Sequence, residues 1–183
     1  MTRAVIIVET GFQDEEGLYA YHRMAEENWI IDVATPSERR LHGETVHELP
    51  KEVYGKFGVP MRITRSTESL DAKDYDVVVI PGGLVSPDML RMRPEVCAFI
   101  NFMFHDGNLV AAQCHGPWVL ISAGIMRGVR ATCYPSLKDD LINAGAIYTG
   151  EAVTVDGNII TADHYKHNSG FCRAVVNWIK ERQ

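Results

Sequence analysis

Short apolar runs rich in β-branched residues recur along the chain, and segments with the signals of helix ends separate them. Such runs are typical of strands that are buried on both faces of a sheet. They lie at 4–9, 29–34, 76–80 and 109–113. Helices are predicted at 15–28, 94–105 and 117–123, from an acidic first turn, from Pro94 at a first position and from Gly124 at an end. The alternation predicts an α/β fold with a doubly wound, mostly parallel sheet and helices on both faces.

The C-terminal third continues the alternation. A strand is predicted over 130–134, and Ser136 is expected to cap a helix over 137–143. Asp156-Gly157-Asn158 predicts a hairpin turn between strands at 153–155 and 159–161, and a last helix is predicted over 169–180. Residues 35–70 are polar, contain several glycines and lack a helical period, so short strands and turns on an excursion from the sheet are expected there.

Composition narrows the function classes. At 183 residues, with 46% hydrophobic and 23% charged residues, the chain is expected to form one domain over 1–183. A net charge of −6 does not favour binding to nucleic acid or to an anionic membrane surface, since both are negatively charged. The sequence shows neither a signal peptide nor an apolar run of the roughly 18 residues that a membrane helix needs. A cytoplasmic protein is therefore expected.

The cysteines are predicted to be free thiols. They are Cys97, Cys114, Cys133 and Cys172, which lie far apart and form no C-x-x-C pair. Cys97, Cys133 and Cys172 have apolar neighbours and are expected in the core. His42 and His47 have no cysteine partner nearby, so we expect no metal site there.

Cys114 is the strongest candidate for chemistry. An apolar strand runs directly into it, and a helix begins within three residues, at Pro117. At such a turn the side chain stands at the carboxyl end of the strand, where ligands bind in open α/β sheets. The helix N-terminus is expected to lower the thiol pKa and to stabilise an oxyanion, and Gly116 permits a close approach. The alternative is a buried core thiol.

Neighbouring residues leave more alternatives open. His115 is either a base for Cys114 or a structural residue, since adjacent side chains on a sharp turn need not point the same way. Gly82-Gly83 ends a buried strand and exposes backbone N–H groups, although it could be a plain tight turn. The amide of Gln113 needs partners and could touch substrate or only backbone. His164, Tyr165 and His167 form a polar cluster after the last strand, which could line the rim of the pocket, although exposed loop residues are expected.

Several stretches around these residues resemble the ThiJ/PfpI superfamily. They are 111–118 (AAQCHGPW), 120–124 (LISAG), 127–128 (RG), 134–146 (YPSLKDDLINAGA), 12–16 (FQDEE) and 80–83 (IPGG). The resemblance covers nearly the whole chain except residues 35–70. It implies a flavodoxin-like sandwich that assembles as a homodimer or higher homo-oligomer.

The resemblance also implies roles for individual residues. Glu16 corresponds to a pocket glutamate that bonds the nucleophilic cysteine, and burial would raise its pKa toward a proton-shuttling role. The other possibility is a solvated residue in an acidic first turn. Gly83 corresponds to an oxyanion-hole donor. In PfpI-like members a glutamate reaches the histidine of a neighbouring subunit. In this chain the segment from Gly83 to Asp88 is one residue longer than in PfpI and ends in aspartate instead of glutamate. The shorter side chain of Asp88 would therefore have to complete a triad with Cys114 and His115.

The resemblance implies an enzyme that needs no cofactor and acts on small carbonyl compounds. The leading hypothesis is conversion of methylglyoxal to lactate, or repair of glycated amines (deglycase activity), through Cys114. Hydrolysis of peptides or amides, and hydration of isocyanides, are alternative enzymatic functions. A redox-sensing stress protein or chaperone that uses oxidation of Cys114 is the alternative from another class.

Overall fold

A seven-stranded sheet forms the centre of the computed structural model, which describes residues 1–41 and 44–182. The strands of the chain are β1 (Arg3–Ile7), β2 (Ile30–Thr35), β3 (Glu38–Leu41), β4 (Glu44–His47), β5 (Glu52–Tyr54), β6 (Pro60–Arg62), β7 (Arg65–Ser66), β8 (Val77–Ile80), β9 (Leu109–Gln113), β10 (Arg130–Ala131), β11 (Ile147–Tyr148), β12 (Val153–Asp156) and β13 (Ile159–Ala162). The sheet order is β12-β13-β9-β8-β1-β2-β7. All neighbours pair in parallel except the edge hairpin of β12 and β13. The predicted flavodoxin-like α/β fold is confirmed.

Two apolar layers cover the sheet, because alternate side chains of each strand face opposite sides. The helices are α1 (Asp14–Glu26), α2 (Val85–Leu90), α3 (Pro94–His105), α4 (Pro117–Ser122), α5 (Lys138–Asn143) and α6 (Asn168–Lys180). On one side Ile80 packs in the cluster that contains Phe99 of α3 and Leu120 of α4. On the other, Val79 packs in the cluster with Met24 of α1 and Phe171 of α6. Within the described part of the chain, no helix is long and apolar enough to cross a membrane.

Two predictions in the C-terminal third were wrong. The strand expected over 130–134 is only two residues long, and it pairs with β11 outside the main sheet. After Ala131 the chain turns over the cysteine, where the N–H of Tyr134 donates to the carbonyl of Cys114 at 2.9 Å. Ser136 caps no helix, because Pro135 begins a 3-10 turn that contains it and leads into α5. The short helix α2 was not predicted.

The excursion over 35–70 consists of short strands and turns, as expected. β3 pairs with β4, β5 pairs with β6, and β7 joins the edge of the main sheet beside β2. Of the two histidines considered as metal ligands, His47 ends β4 and is exposed, and His42 lies outside the described residues.

Asp14 fastens the β5–β6 hairpin to the N-terminus of α1. Its two carboxylate oxygens accept hydrogen bonds from the backbone N–H groups of Phe57 and Val59, both at 2.9 Å. The N–H of Lys56 donates to the carbonyl of Phe12 at 2.7 Å. The tip of the excursion is therefore held against the loop that precedes α1.

We expect Asp14→Ala to lower the free energy of unfolding by about 1.5 kcal/mol or more, because two charge-assisted hydrogen bonds of a buried side chain are lost. Urea unfolding measures the change. Asp139→Ala is the matched control, since Asp139 is an exposed aspartate in the first turn of α5. Equal losses in the two variants would contradict the role given to Asp14.

Candidate active site

Cys114 lies on a strained turn between β9 and α4. Its φ is 59°, a left-handed conformation that costs a residue with a side chain roughly 1–2 kcal/mol. Backbone hydrogen bonds hold the turn: the N–H of Cys114 donates to Ala162 at 2.8 Å, and that of Gly116 donates to Gln113 at 2.7 Å. The turn places the side chain at the carboxyl end of the sheet with only 6% of the residue exposed.

Glu16 faces Cys114 from the first turn of α1. Its residue is 1% exposed, and its Oε2 accepts a hydrogen bond from the N–H of Gly82 at 2.6 Å. The other oxygen, Oε1, has no hydrogen-bond partner among the described residues. Burial raises the pKa of Glu16 to about 8, so the carboxyl is largely protonated at neutral pH. The alternative of a solvated glutamate is thereby excluded, and Glu15 is the exposed neighbour.

The glycine pair after β8 makes this close packing possible. A Cβ on Gly82 would lie 2.6 Å from the Cβ of Cys114 and 2.8 Å from Oε2 of Glu16, so any side chain there would push the two reactive groups apart. Gly83 has a φ of +90° and directs its N–H toward the thiol of Cys114. The backbone N–H of His115 also faces the thiol. These two N–H groups are placed to stabilise an oxyanion beside the sulfur.

The thiol pKa moves opposite to the expectation from the sequence. Burial, followed by the nearby charge of Glu16, raises the pKa of Cys114 to about 12. The N–H groups of Gly83 and His115 act in the expected direction, but they are outweighed. The thiol therefore needs a base before it can act as a nucleophile.

His115 is placed to be that base. Its Nδ1 lies 3.2 Å from Sγ of Cys114, so the two adjacent side chains do meet on this turn. Burial and the positive charge of Lys56 lower the pKa of His115, which keeps the ring neutral and able to accept a proton. The ring stacks on Tyr134 with centroids 4.7 Å apart, and it meets the edge of Trp118 at 5.3 Å.

Gln113 and Gly116 shape the site indirectly. The amide of Gln113 is buried and donates to the side chain of Asn168 at 2.5 Å and to the carbonyl of His164 at 3.1 Å. The N–H of Gly116 is used within the turn, and that of Gly82 is used by Glu16. Of the backbone groups considered for an oxyanion, only those of Gly83 and His115 face the thiol.

Asp88 is not part of the cluster within one chain. It is exposed in the first turn of α2, and no hydrogen bond joins it to His115 in the part of the chain that the structure describes. A triad that includes Asp88 would need a second subunit, and it stays a prediction.

Two residues that act on His115, Tyr134 and Lys56, were not predicted from the sequence. Tyr134 was assigned to a strand, although Pro135 directly after it is a signal for a turn. Lys56 lies in the excursion, where no periodicity indicates what the chain contacts. The expected loop cluster is partly buried, since Tyr134 also stacks near His164, with centroids 5.8 Å apart.

Comparisons with known proteins agree on one family. Residues 2–178 match the family model described as the DJ-1/PfpI family. A deglycase of Pyrococcus abyssi is 36% identical over 160 residues, which are 87% of this chain and 89% of the relative. A Bacillus subtilis relative with a provisional cysteine-protease name is 39% identical over 133 residues, which are 73% of this chain and 78% of the relative.

A solved structure shows the same fold. It is a protein of Anabaena variabilis with a DJ-1/ThiJ/PfpI-like domain and a ferritin-like domain, and it is 30% identical with a TM-score of 0.89. The match covers 98% of this chain and 48% of that two-domain chain.

The raised pKa of Glu16 predicts a pH-dependent stability that Glu16→Gln removes. The unfolded carboxyl loses its proton near 4.5 and the folded one near 8, so the folded state binds more protons between these values. This contribution to stability is fully present below 4.5, and it is lost as the pH rises through the folded pKa. The free energy of unfolding of the parent should fall relative to that of Glu16→Gln as the pH rises from about 5 to 8.

Urea unfolding of both proteins at a series of pH values measures this difference. Curves that stay parallel across that range would show that Glu16 is ionised in the folded state.

Proposed function

The chain belongs to the DJ-1/PfpI family, and on that premise we propose that it is a cysteine-dependent enzyme that acts on small reactive aldehydes or on the adducts they form with amines. The substrate class is methylglyoxal and its glycation adducts, and no cofactor is required. The observation that carries the proposal is the convergence of a thiol, a protonated carboxyl and a neutral imidazole at one strand end. The names of the deglycase relatives support it.

The first step is addition of the thiol to the aldehyde. His115 takes the proton of Cys114 as the sulfur attacks, since its Nδ1 lies 3.2 Å from the sulfur. The sulfur bonds to the aldehyde carbon in the same step, and the carbonyl electron pair moves onto oxygen. The N–H groups of Gly83 and His115 face the place where this oxyanion forms, which completes a hemithioacetal once the oxygen gains a proton.

The second step moves a proton between adjacent carbons. Glu16 is buried and faces the thiol. Its Oε1, which has no hydrogen-bond partner among the described residues, can pass a proton between the carbon and oxygen atoms of the hemithioacetal through an enediolate. The carbon bonded to sulfur becomes a thioester carbonyl, and the neighbouring carbon gains the hydrogen. Water then cleaves the thioester, which releases lactate and restores the thiol, so methylglyoxal and one water give lactate.

The same groups bear on the alternatives. The Bacillus subtilis relative's name favours hydrolysis by Cys114 and His115, with Asp88 supplied by a second subunit in a homo-oligomer. A peroxide sensor needs an accessible thiolate. The raised pKa and burial of Cys114 work against that function more than against a reaction in which His115 removes the proton.

We expect purified protein to convert methylglyoxal to lactate over many turnovers without added cofactor, and Cys114→Ala to reduce the rate to background. Glu16→Gln and His115→Ala should each lower the rate about 100-fold or more, since each removes one proton-transfer group. The rate of lactate formation is measured for the parent and for each of the three variants. Cys97→Ala is the control, because Cys97 is a half-buried free thiol outside the site.

Consumption of one equivalent of aldehyde without lactate would contradict the proposal and leave Cys114 as a reactive thiol only. Peptide or amide hydrolysis, and stoichiometric reaction with peroxide, would then distinguish the remaining functions.

A further inference from the structure

The imidazole of His115 contacts two aromatic rings that belong to different elements. Tyr134, on the turn after β10, stacks on it with centroids 4.7 Å apart and ring planes 24° apart. Trp118, in the first turn of α4, packs edge to face against it with centroids 5.3 Å apart and planes 65° apart. A stacked contact and an edge-to-face contact favour different ring planes, so together they restrict both the tilt and the rotation of the imidazole.

The indole of Trp118 is itself held from two sides. Its Nε1–H donates a hydrogen bond to Oδ2 of Asp140 in α5 at 2.8 Å. On the other side, the guanidinium of Arg91 lies 5.4 Å from the centroid of the indole ring, and Nε of Arg91 donates to Oγ of Ser122 at 3.1 Å. Contacts from α5 and from the end of α2 therefore determine where the indole lies.

We propose that Trp118 is a positioning residue, which holds the imidazole of His115 in the orientation that presents Nδ1 to the thiol of Cys114, and that Asp140 acts through Trp118. The inference deepens the proposed function, on which it rests for the role of His115 as the base. His115 needs this support because it is only half-buried and lies on a sharp turn, where adjacent side chains need not face each other. A base that is misdirected by about 1 Å loses much of its effect on rate.

The test follows the alkylation of Cys114 by iodoacetamide, which requires no aldehyde. The sulfur bonds to the methylene carbon as iodide leaves, and the thiol proton passes to Nδ1 of His115. We expect Trp118→Ala to lower the second-order rate constant about tenfold, since a misplaced base transfers the proton poorly. Mass spectrometry of the peptide that contains Cys114 measures this rate separately from the reactions of the other thiols.

Asp140 gives a milder change at an exposed position. Asp140→Ala keeps the indole but removes its acceptor, and we expect it to lower the rate constant about threefold. Asp140→Asn keeps an oxygen that accepts from the indole N–H, so this variant should alkylate at the parent rate. Urea unfolding verifies that each variant is folded, and Asp140→Ala decides the question if Trp118→Ala does not fold.

Repeating the two substitutions in a His115→Ala background separates positioning from a general effect on the fold. Trp118→Ala and Asp140→Ala should each lose their effect there, because no base remains to be oriented. Effects that persist at full size in that background, or parent rates in both single variants, would overturn the proposal. A parent rate in His115→Ala alone would also overturn it, because there would be no base to position.

Each substitution has a matched control. Trp29 is also a half-buried tryptophan, but it precedes β2 at the amino end of the sheet, opposite to Cys114, and packs against the apolar layer of α1 and α6. Trp29→Ala should lower the free energy of unfolding and leave the alkylation rate unchanged. Asp139→Ala is the control for Asp140→Ala, since both aspartates are exposed in the first turn of α5. Equal losses of rate in the controls would contradict the role of Trp118.

Lactate formation from methylglyoxal separates this inference from the proposed function. We expect Trp118→Ala to lower kcat about tenfold and to change KM by less than about twofold, because proton transfer is impaired and substrate binding is not. If the parent forms no lactate, the proposed function fails, and the alkylation rates alone decide the role of Trp118. If the parent forms lactate and Trp118→Ala has the same kcat, the role of Trp118 is overturned and the enzyme stands.

Discussion

The left-handed backbone of Cys114 is the constraint on which the rest of the site depends. A φ of 59° turns the chain sharply between β9 and α4, and this places the thiol between the glycine pair and α1. Gly82 must lack a side chain because a Cβ there would lie 2.6 Å from that of Cys114. The strain persists because the surrounding backbone hydrogen bonds and the packed sheet determine the turn.

Because of this packing, the carboxyl group of Glu16 and the thiol of Cys114 are buried side by side. Burial raises the pKa of both Glu16 and Cys114, and the nearby charge of Glu16 raises the pKa of Cys114 further. The neutral pair is therefore the resting state at neutral pH, and His115 is the group that can take a proton from it. In the proposed mechanism the thiol stays protonated until a carbonyl binds beside it and His115 removes the proton, which suits turnover better than spontaneous oxidation.

The features that depend on local sequence patterns were predicted correctly. An apolar strand, Cys114 and Pro117 were enough to place the turn, and the alternation of elements was enough for the fold. The burial of Glu16 entered only through the family resemblance, since its acidic neighbours mark an ordinary first turn. Tyr134 stacks on His115, and the charge of Lys56 acts on its pKa, through tertiary structure that no periodicity in the sequence encodes. The direction of the pKa of Cys114 was missed because the helix terminus was considered without the burial that outweighs it.

The most direct test of this account is the pKa of Glu16 itself. A ¹³C NMR titration of protein labelled at the glutamate side-chain carboxyl, with Glu16→Gln used to assign the resonance, would measure it. The account predicts a midpoint near 8, with Cys114 still protonated at that pH. A midpoint near the ordinary value of 4.5 would mean that Glu16 is a carboxylate at neutral pH, and the protonated acid on which the mechanism depends would not exist.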